Sequence, residues 1–222
     1  MRNPYADNKL AKIGALSTPY NVNVGGLEMA VFKNVYPTSE LSELIIECLD
    51  DNLCGIAEGD SVLDFGTGTG FLAIQAAIKG GKVLATDINP DALECASYNV
   101  KQQLCEESID LLQSDGFDSI PINEKFDIIL AGLPWDDGIP ENYLEMSMYD
   151  NGFKMRKALF DNAILILNNK GRIFFTYSQQ ADERYPIEKF DNRFNYVVFK
   201  KRVIKSVMHY AYMIYPKNYN VV

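Results

Sequence analysis

Apolar residues along the chain fall into short runs whose period changes from segment to segment. Residues 1–20 hold no sustained period and carry Pro4, Gly14 and Pro19 as breakers, so an irregular segment is expected there. Asn21–Val24 and Leu27–Phe32 alternate on either side of Gly25-Gly26, the pattern of a β-hairpin. Pro37-Thr-Ser-Glu40 then opens a helix, with Thr38 or Ser39 as N-cap and Glu40 favourable in the first turn. Leu41, Leu44, Ile45, Cys48 and Leu49 form its apolar stripe.

From residue 61 strands and helices alternate. Ser61–Phe65 reads as a buried strand, Phe71–Lys79 as a helix ended by Gly80-Gly81, and Lys82–Thr86 as a second strand. Asn89-Pro90 is an N-cap followed by proline at the first helical position. Leu93, Ala96, Val100 and Leu104 line that helix, with Cys95 at its edge. Ile109–Leu112 and Phe126–Leu130 are strands. Gly152–Asn168 is a helix closed by Lys170-Gly171, and Arg172–Tyr177 is a strand. A polar helix is expected around residues 180–190, before two long β-rich runs, Phe194–Val203 and Met208–Tyr215. Alternating β and α elements imply an α/β fold, a mainly parallel sheet with helices on both faces. The last two runs leave no room for a helix between them and must be antiparallel. Residues 1–36 are expected to form a lid segment and hairpin, and residues 37–222 one larger domain.

At 222 residues a core forms without disulfide or metal staples, since folding buries about 70–75% of the surface at this size. No apolar run approaches the roughly 18 residues of a membrane span, and Leu10–Leu16 is broken by Lys12 and leads to no cleavage site, which argues against a signal peptide. A net charge of −9 argues against a nucleic-acid substrate, because phosphate repels it. Cys48, Cys54, Cys95 and Cys105 form no C-x-x-C pair, and His209 is the single histidine, so neither a zinc site nor a disulfide framework is expected. Core thiols and a cytoplasmic location are the consistent reading.

Candidate chemistry begins at Asp64-Phe-Gly-Thr-Gly-Thr-Gly70, between a strand and a helix. Gly66 and Gly68 match the first two glycines of the dinucleotide fingerprint, but Phe71 stands where the third belongs. Asp87 ends the second strand, where an acid accepts ribose hydroxyls. Asp115 follows the third, within Ser114-Asp-Gly116. Acids at three successive strand ends suit a ligand with an amino-acid end, a ribose and an adenine. They repel a pyrophosphate, which favours S-adenosylmethionine over NAD.

Val62–Gly70, Ala85-Thr-Asp-Ile-Asn-Pro-Asp-Ala-Leu93 and Phe126-Asp-Ile-Ile-Leu-Ala-Gly-Leu-Pro-Trp135 together resemble class I S-adenosylmethionine-dependent methyltransferases. The resemblance is nearest to the HemK/PrmC-type glutamine methyltransferases and their N6-adenine relatives. It is carried also by the early hairpin, by Val35-Tyr-Pro-Thr-Ser-Glu-Leu-Ser-Glu-Leu44 and by Ser147-Met-Tyr-Asp-Asn-Gly-Phe153. It implies a Rossmann-like, seven-stranded, mainly parallel sheet with an antiparallel C-terminal strand. It also implies that Asp64, Gly66, Thr67, Gly68 and Gly70 hold the methionine end, Asp87 the ribose, and Ile88, Asp115, Gly116 and Phe117 the adenine. The segment before the hairpin is too short for the helical domain with which PrmC-type proteins grip release factors, so no such domain is expected within these residues. A second departure lies at Gly132-Leu-Pro-Trp135, where the family has Asn-Pro-Pro-Tyr. The family's Asn side chain orients the target nitrogen, and Gly132 has none. Leu133 keeps its carbonyl, Pro134 keeps the loop stiff, and Trp135 offers an aromatic face.

The donor residues are therefore complete and the acceptor clamp is altered, which implies a changed substrate. Gly132, Leu133, Pro134, Trp135 and Asp136 are the expected catalytic group. Tyr20, Tyr36, Trp135 and Tyr143 are the expected substrate contacts, and Tyr5 joins Tyr20, Tyr36 and Tyr143 as lid candidates. Asp136, Asp137, Glu141 and Glu145 offer attraction for a cationic amine. The leading expectation is methyl transfer by in-line displacement to a nitrogen, with oxygen second, of a small metabolite or peptide. The alternatives are protein glutamine N5-methylation, a non-catalytic S-adenosylmethionine-binding partner subunit and, last, an NAD-dependent oxidoreductase.

Overall fold

The computed structural model describes residues 2–38, 40–51, 55–179 and 192–217. Ser39, Cys54 and the helix expected around 180–190 lie outside the described residues. In chain order the elements are α1 (Pro4–Gly14), β1 (Tyr20–Val24), β2 (Leu27–Val31), α2 (Glu40–Leu49), β3 (Ser61–Phe65), α3 (Phe71–Ile78), β4 (Lys82–Asp87), α4 (Pro90–Gln102), β5 (Ile109–Gln113), β6 (Phe126–Ala131), α5 (Tyr143–Met146), α6 (Lys154–Ile166), β7 (Leu167–Ser178), β8 (Phe194–Ile204) and β9 (Val207–Pro216).

β3 to β9 form one sheet in the order β5-β4-β3-β6-β7-β9-β8. β3 to β7 are mutually parallel where they pair, and β9 runs antiparallel between β7 and β8. The expected fold class is what forms, with the antiparallel strand inserted inside the last hairpin's edge position. The chain runs outward from β3 to β5 and then returns to β6 on the other side of β3. That reversal opens a crevice at the carboxyl ends of β3, β4 and β6, the place where such sheets bind ligands.

Adjacent residues on each central strand serve opposite faces, as the pleat requires. Val62, Ile128, Phe174 and Met213 join the core beneath α2 and α3. Leu63, Ile129, Phe175 and Ile214 join the core beneath α6, with Leu159, Phe160 and Ala163. Each such side chain, fully buried, contributes roughly 1.5–3 kcal/mol from desolvation. Cys48, Cys95 and Cys105 are buried free thiols, and burial pushes Cys48 up to about 12 and Cys95 up to about 11.

Two expectations are corrected. Residues 4–14 are helical, not irregular. Pro4 occupies the first turn, where its missing N–H costs nothing. Asn3 caps the helix by accepting from the Tyr5 N–H at 3.0 Å, and Ala6 and Leu10 are buried by tertiary contacts. The helix expected over 152–168 is shorter, Lys154–Ile166. Gly152 and Phe153 take positive φ before it, and β7 starts at Leu167, so Lys170 and Gly171 belong to the strand.

Candidate functional site

A cavity of about 700 Å³ occupies the crevice. Its first wall is the loop after β3. Gly66 and Gly68 adopt left-handed φ of 81° and 56°, and a Cβ on either would meet no atom within 4 Å. Their free faces form a backbone cradle open to the cavity. Gly66 and Thr67 donate backbone N–H bonds to the Thr86 carbonyl, tying the loop to β4.

Asp64 and Gly70 stand behind this wall and are not among the cavity's lining residues. The Asp64 carboxylate accepts from the Thr67 hydroxyl at 2.6 Å and the Ala73 N–H at 3.1 Å, bracing the loop against α3. Burial pushes its pKa up to about 7 despite those bonds. Gly70 lets α3 approach α4, since a Cβ there would sit 3.1 Å from the Ala96 Cβ. Asn99, on α4, was not singled out by the sequence pattern. Its amide exchanges hydrogen bonds with Ala30 on β2 and donates to the Thr69 carbonyl, so it fastens both the hairpin and the loop.

Asp87 lines the cavity at the end of β4. Its two oxygens accept from the Gly68 and Asn89 N–H groups, each at 2.9 Å. Burial raises its pKa, and those backbone donors oppose the shift. An ionised carboxylate has about four lone-pair sites, so acceptor capacity remains for hydroxyls. Ile88, Asp115, Gly116 and Phe117 complete this end. The Ser114 hydroxyl bonds to the Gly116 carbonyl and the Ser119 N–H and sets that turn. Phe117 stacks on Phe65 at 4.6 Å.

The opposite wall follows β6. Gly132, Leu133, Pro134 and Trp135 all line the cavity. A Cβ on Gly132 would meet nothing within 4 Å, so its missing side chain leaves real space. Arg156 holds this loop from behind. It is fully buried and donates to the Pro134 carbonyl at 3.0 Å, with its guanidinium 4.9 Å from the Phe153 ring centroid. The Asp150 carboxylate accepts from the N–H groups of Met155 and Arg156 and starts α6. Trp135 lies 6.0 Å from the His209 ring. Burial, and then Lys9, lowers the pKa of His209.

Of the expected substrate contacts, Tyr36, Trp135 and Tyr143 line the cavity and Tyr20 does not. Tyr20 packs with Val31, Val35, Ala92 and Cys95 between the hairpin and α4. Asp136 also turns away from the cavity. Its carboxylate accepts from the Asn3 side-chain amide at 3.1 Å. Asp137 accepts from the Gly152 N–H, and Glu145 pairs with Arg2 at 3.0 Å. The acids expected to draw in a cation instead hold α1 and the loop. α1 delivers Lys9 to the cavity, its Nζ 5.0 Å from the Tyr36 ring centroid. No signal in the sequence marked Lys9 or Arg156, because the Tyr36 ring and the Pro134 carbonyl they reach lie more than twenty positions away.

The Methyltransferase small domain family matches residues 33–202, well over half of the chain. The chain belongs to that family. That family is one of methyltransferase domains, for which S-adenosylmethionine is the methyl donor. The chain is 33% identical over 129 residues to a release factor glutamine methyltransferase of Rhodopirellula baltica, covering 56% of this chain and 41% of that protein. It is 31% identical over 153 residues to a putative protein N5-glutamine methyltransferase of Methanocaldococcus jannaschii, covering 67% and 72%. The chain thus spans about two fifths of the first relative's length. Its fold is shared with the T. thermophilus 16S rRNA N2 G1207 methyltransferase, solved with AdoMet and guanosine, at a TM-score of 0.66 and 17% identity over 90% of this chain and 50% of that one. The glycine cradle and the open acceptor capacity of Asp87 fit a sulfonium nucleoside of this kind.

Proposed function

We propose that the chain moves the methyl group of S-adenosylmethionine to a nitrogen, with oxygen as second choice, of a small metabolite or short peptide. When bound, that cofactor supplies a methyl on a positively charged sulfur, so the leaving group is neutral and no general acid is needed. In this reading the glycine cradle receives the methionine end, with Asp64 bracing it from behind. Asp87 accepts from the ribose, and Ile88, Asp115 and Phe117 border the adenine. The Leu133 carbonyl, on a loop fixed by Arg156, orients the acceptor's hydrogens and so aims its lone pair. Trp135 and Tyr36 flank the acceptor and exclude water, which aligns the reactants for displacement. Residues 1–36 act as the lid segment and hairpin of the domain formed by residues 37–222.

The observation that carries the reading is the open space at Gly132. It removes one acceptor group while leaving the rest of the cavity complete. Protein glutamine N5-methylation is the second reading, supported by what the two relatives are called. Methyl-labelled S-adenosylmethionine incubated with an extract of the source separates the two. Label in the small-molecule fraction is expected; label released only by protease favours the second reading. Gly132→Asn sharpens the test. It is expected to slow methylation of the native acceptor about tenfold or more, the scale of a misplaced reacting group. Faster methylation of that acceptor would sink the changed-substrate reading.

A further inference from the structure

Charge is divided unevenly within the cavity. The carboxylates of Asp87, Asp115 and Asp118 lie at the ends of β4 and β5. The other charged lining residues are Lys9, Lys154 and Asp150. Asp150 is committed to the N–H groups of Met155 and Arg156 and faces the Arg156 charge. The nearby acids are committed as well. Asp7 pairs with Arg2 and the Tyr149 hydroxyl, Glu145 with Arg2, and Asp136 with Asn3. Among the described residues no carboxylate lies within ion-pair distance of Lys9. Its ammonium is half-buried over the Tyr36 ring and is near enough to His209 to act on it. Burial, then the Lys205 charge, lowers its pKa, as expected of a cation with no counter-ion. In a protein of net charge −9, an uncompensated cation directed into a cavity is an unusual local balance.

We propose that the methyl acceptor carries an anionic oxygen group, a carboxylate or a phosphate, and that Lys9 binds it while Tyr36 and Trp135 flank the acceptor. The inference rests on the methyl-transfer reading and names its substrate class. It replaces the cationic amine that the acids after Trp135 suggested, because none of those acids lines the cavity and Asp136, Asp137 and Glu145 are engaged by Asn3, Gly152 and Arg2. It also gives α1 a purpose beyond covering the cavity: the helix carries the residue that selects the acceptor.

The test uses the full chain and its Lys9→Met and Lys9→Arg variants, methyl-labelled S-adenosylmethionine and a deproteinised extract of the source. The labelled product is expected to be retained on an anion exchanger at pH 7, and phosphatase treatment distinguishes phosphate from carboxylate. Lys9→Met is expected to lower the initial rate at limiting extract about tenfold or more, the scale of one lost charge-assisted hydrogen bond. Lys9→Arg should restore most of it, and affinity for S-adenosylhomocysteine should change less than about twofold. A product that passes the exchanger unretained overturns the proposal, as does equal labelling by Lys9→Met. A matching loss of S-adenosylhomocysteine affinity also overturns it, since Lys9 then serves the cofactor's own carboxylate. If the wild-type chain labels nothing, the methyl-transfer reading fails, and the anion site is judged by a measurement that needs no turnover. Trp135 is the single tryptophan. Its emission in the S-adenosylhomocysteine complex should respond saturably to glutarate and not to glutaramide, and Lys9→Met should abolish the response. Equal responses to both probes reject the site.

Discussion

Asp64 is buried as a carboxylate among apolar strands, and two hydrogen bonds only partly offset its desolvation. The consequence for stability has a definite sign. The carboxyl titrates at 3.8 when unfolded and at about 7 when folded. Between those values the folded chain holds a proton that the unfolded chain has released. Stability from this group is therefore present at low pH and is lost as pH rises through about 7. Asp64→Asn keeps an oxygen for Thr67 and Ala73 and removes the titration. The variant's melting temperature is expected to fall less than that of the wild type between pH 4 and pH 7, and parallel melting curves would refute the assignment. Gly132 works by absence: its missing side chain opens the cavity where a neighbouring carbonyl and indole remain. Asp136 shows the reverse, an acid beside the Gly132–Trp135 loop whose carboxylate is used to anchor Asn3.

Among the elements, α1 differs most from its sequence expectation, and it brings Lys9 to the cavity. Its inner face, Ala6 and Leu10, packs on Met148 and Tyr149 just beyond the Gly132–Trp135 loop. Asn3 both caps the helix and reaches Asp136, so one side chain joins the helix start to that loop. Asn3→Ala is expected to lower the unfolding free energy by about 1 kcal/mol through the lost cap, measured by urea denaturation. Removing residues 2–15 tests the lid. S-adenosylhomocysteine binding should survive, because no residue of α1 other than Lys9 borders the cavity, while methyl transfer should fall at least about tenfold. Retention of the full transfer rate would show that α1 is not a lid. α6 performs the matching task on the other side, since Arg156 holds the Pro134 carbonyl while Leu159, Phe160 and Ala163 secure the helix to the sheet.

For the molecule as a whole, the sheet order decides where the ligand lies. The reversal at β3 and β6 brings a glycine loop, the Asp87 turn and the Gly132 loop to one crevice, although more than sixty residues separate the first from the last. A ligand that binds only the folded state raises its stability by about 2.7 kcal/mol at a hundredfold excess over Kd. S-adenosylhomocysteine is therefore expected to raise the melting temperature by several degrees, with NAD at the same concentration producing no shift. A shift with NAD instead would assign the crevice to the wrong nucleotide.

The linear sequence by itself determined the strands, the glycine cradle, the acids at the strand ends and the family resemblance. Those features are local: short apolar runs, Asn89-Pro90 and G-x-G-x-G act over a few residues and are legible as written. It also singled out Gly132-Leu-Pro-Trp135, which directly follows a recognisable strand and lines the cavity. Only the tertiary structure decided which charges face the cavity. Asp136, Glu145 and Asp137 read as an acidic mouth until Asn3, Arg2 and Gly152 engage them. Lys9 read as part of an irregular polar segment until burial of Ala6 and Leu10 made that segment a helix. Tyr20 read as a lid residue until the hairpin packed it against α4. The common reason is physical: a side chain's direction and counter-ion depend on contacts between segments distant in sequence, and no local pattern encodes them.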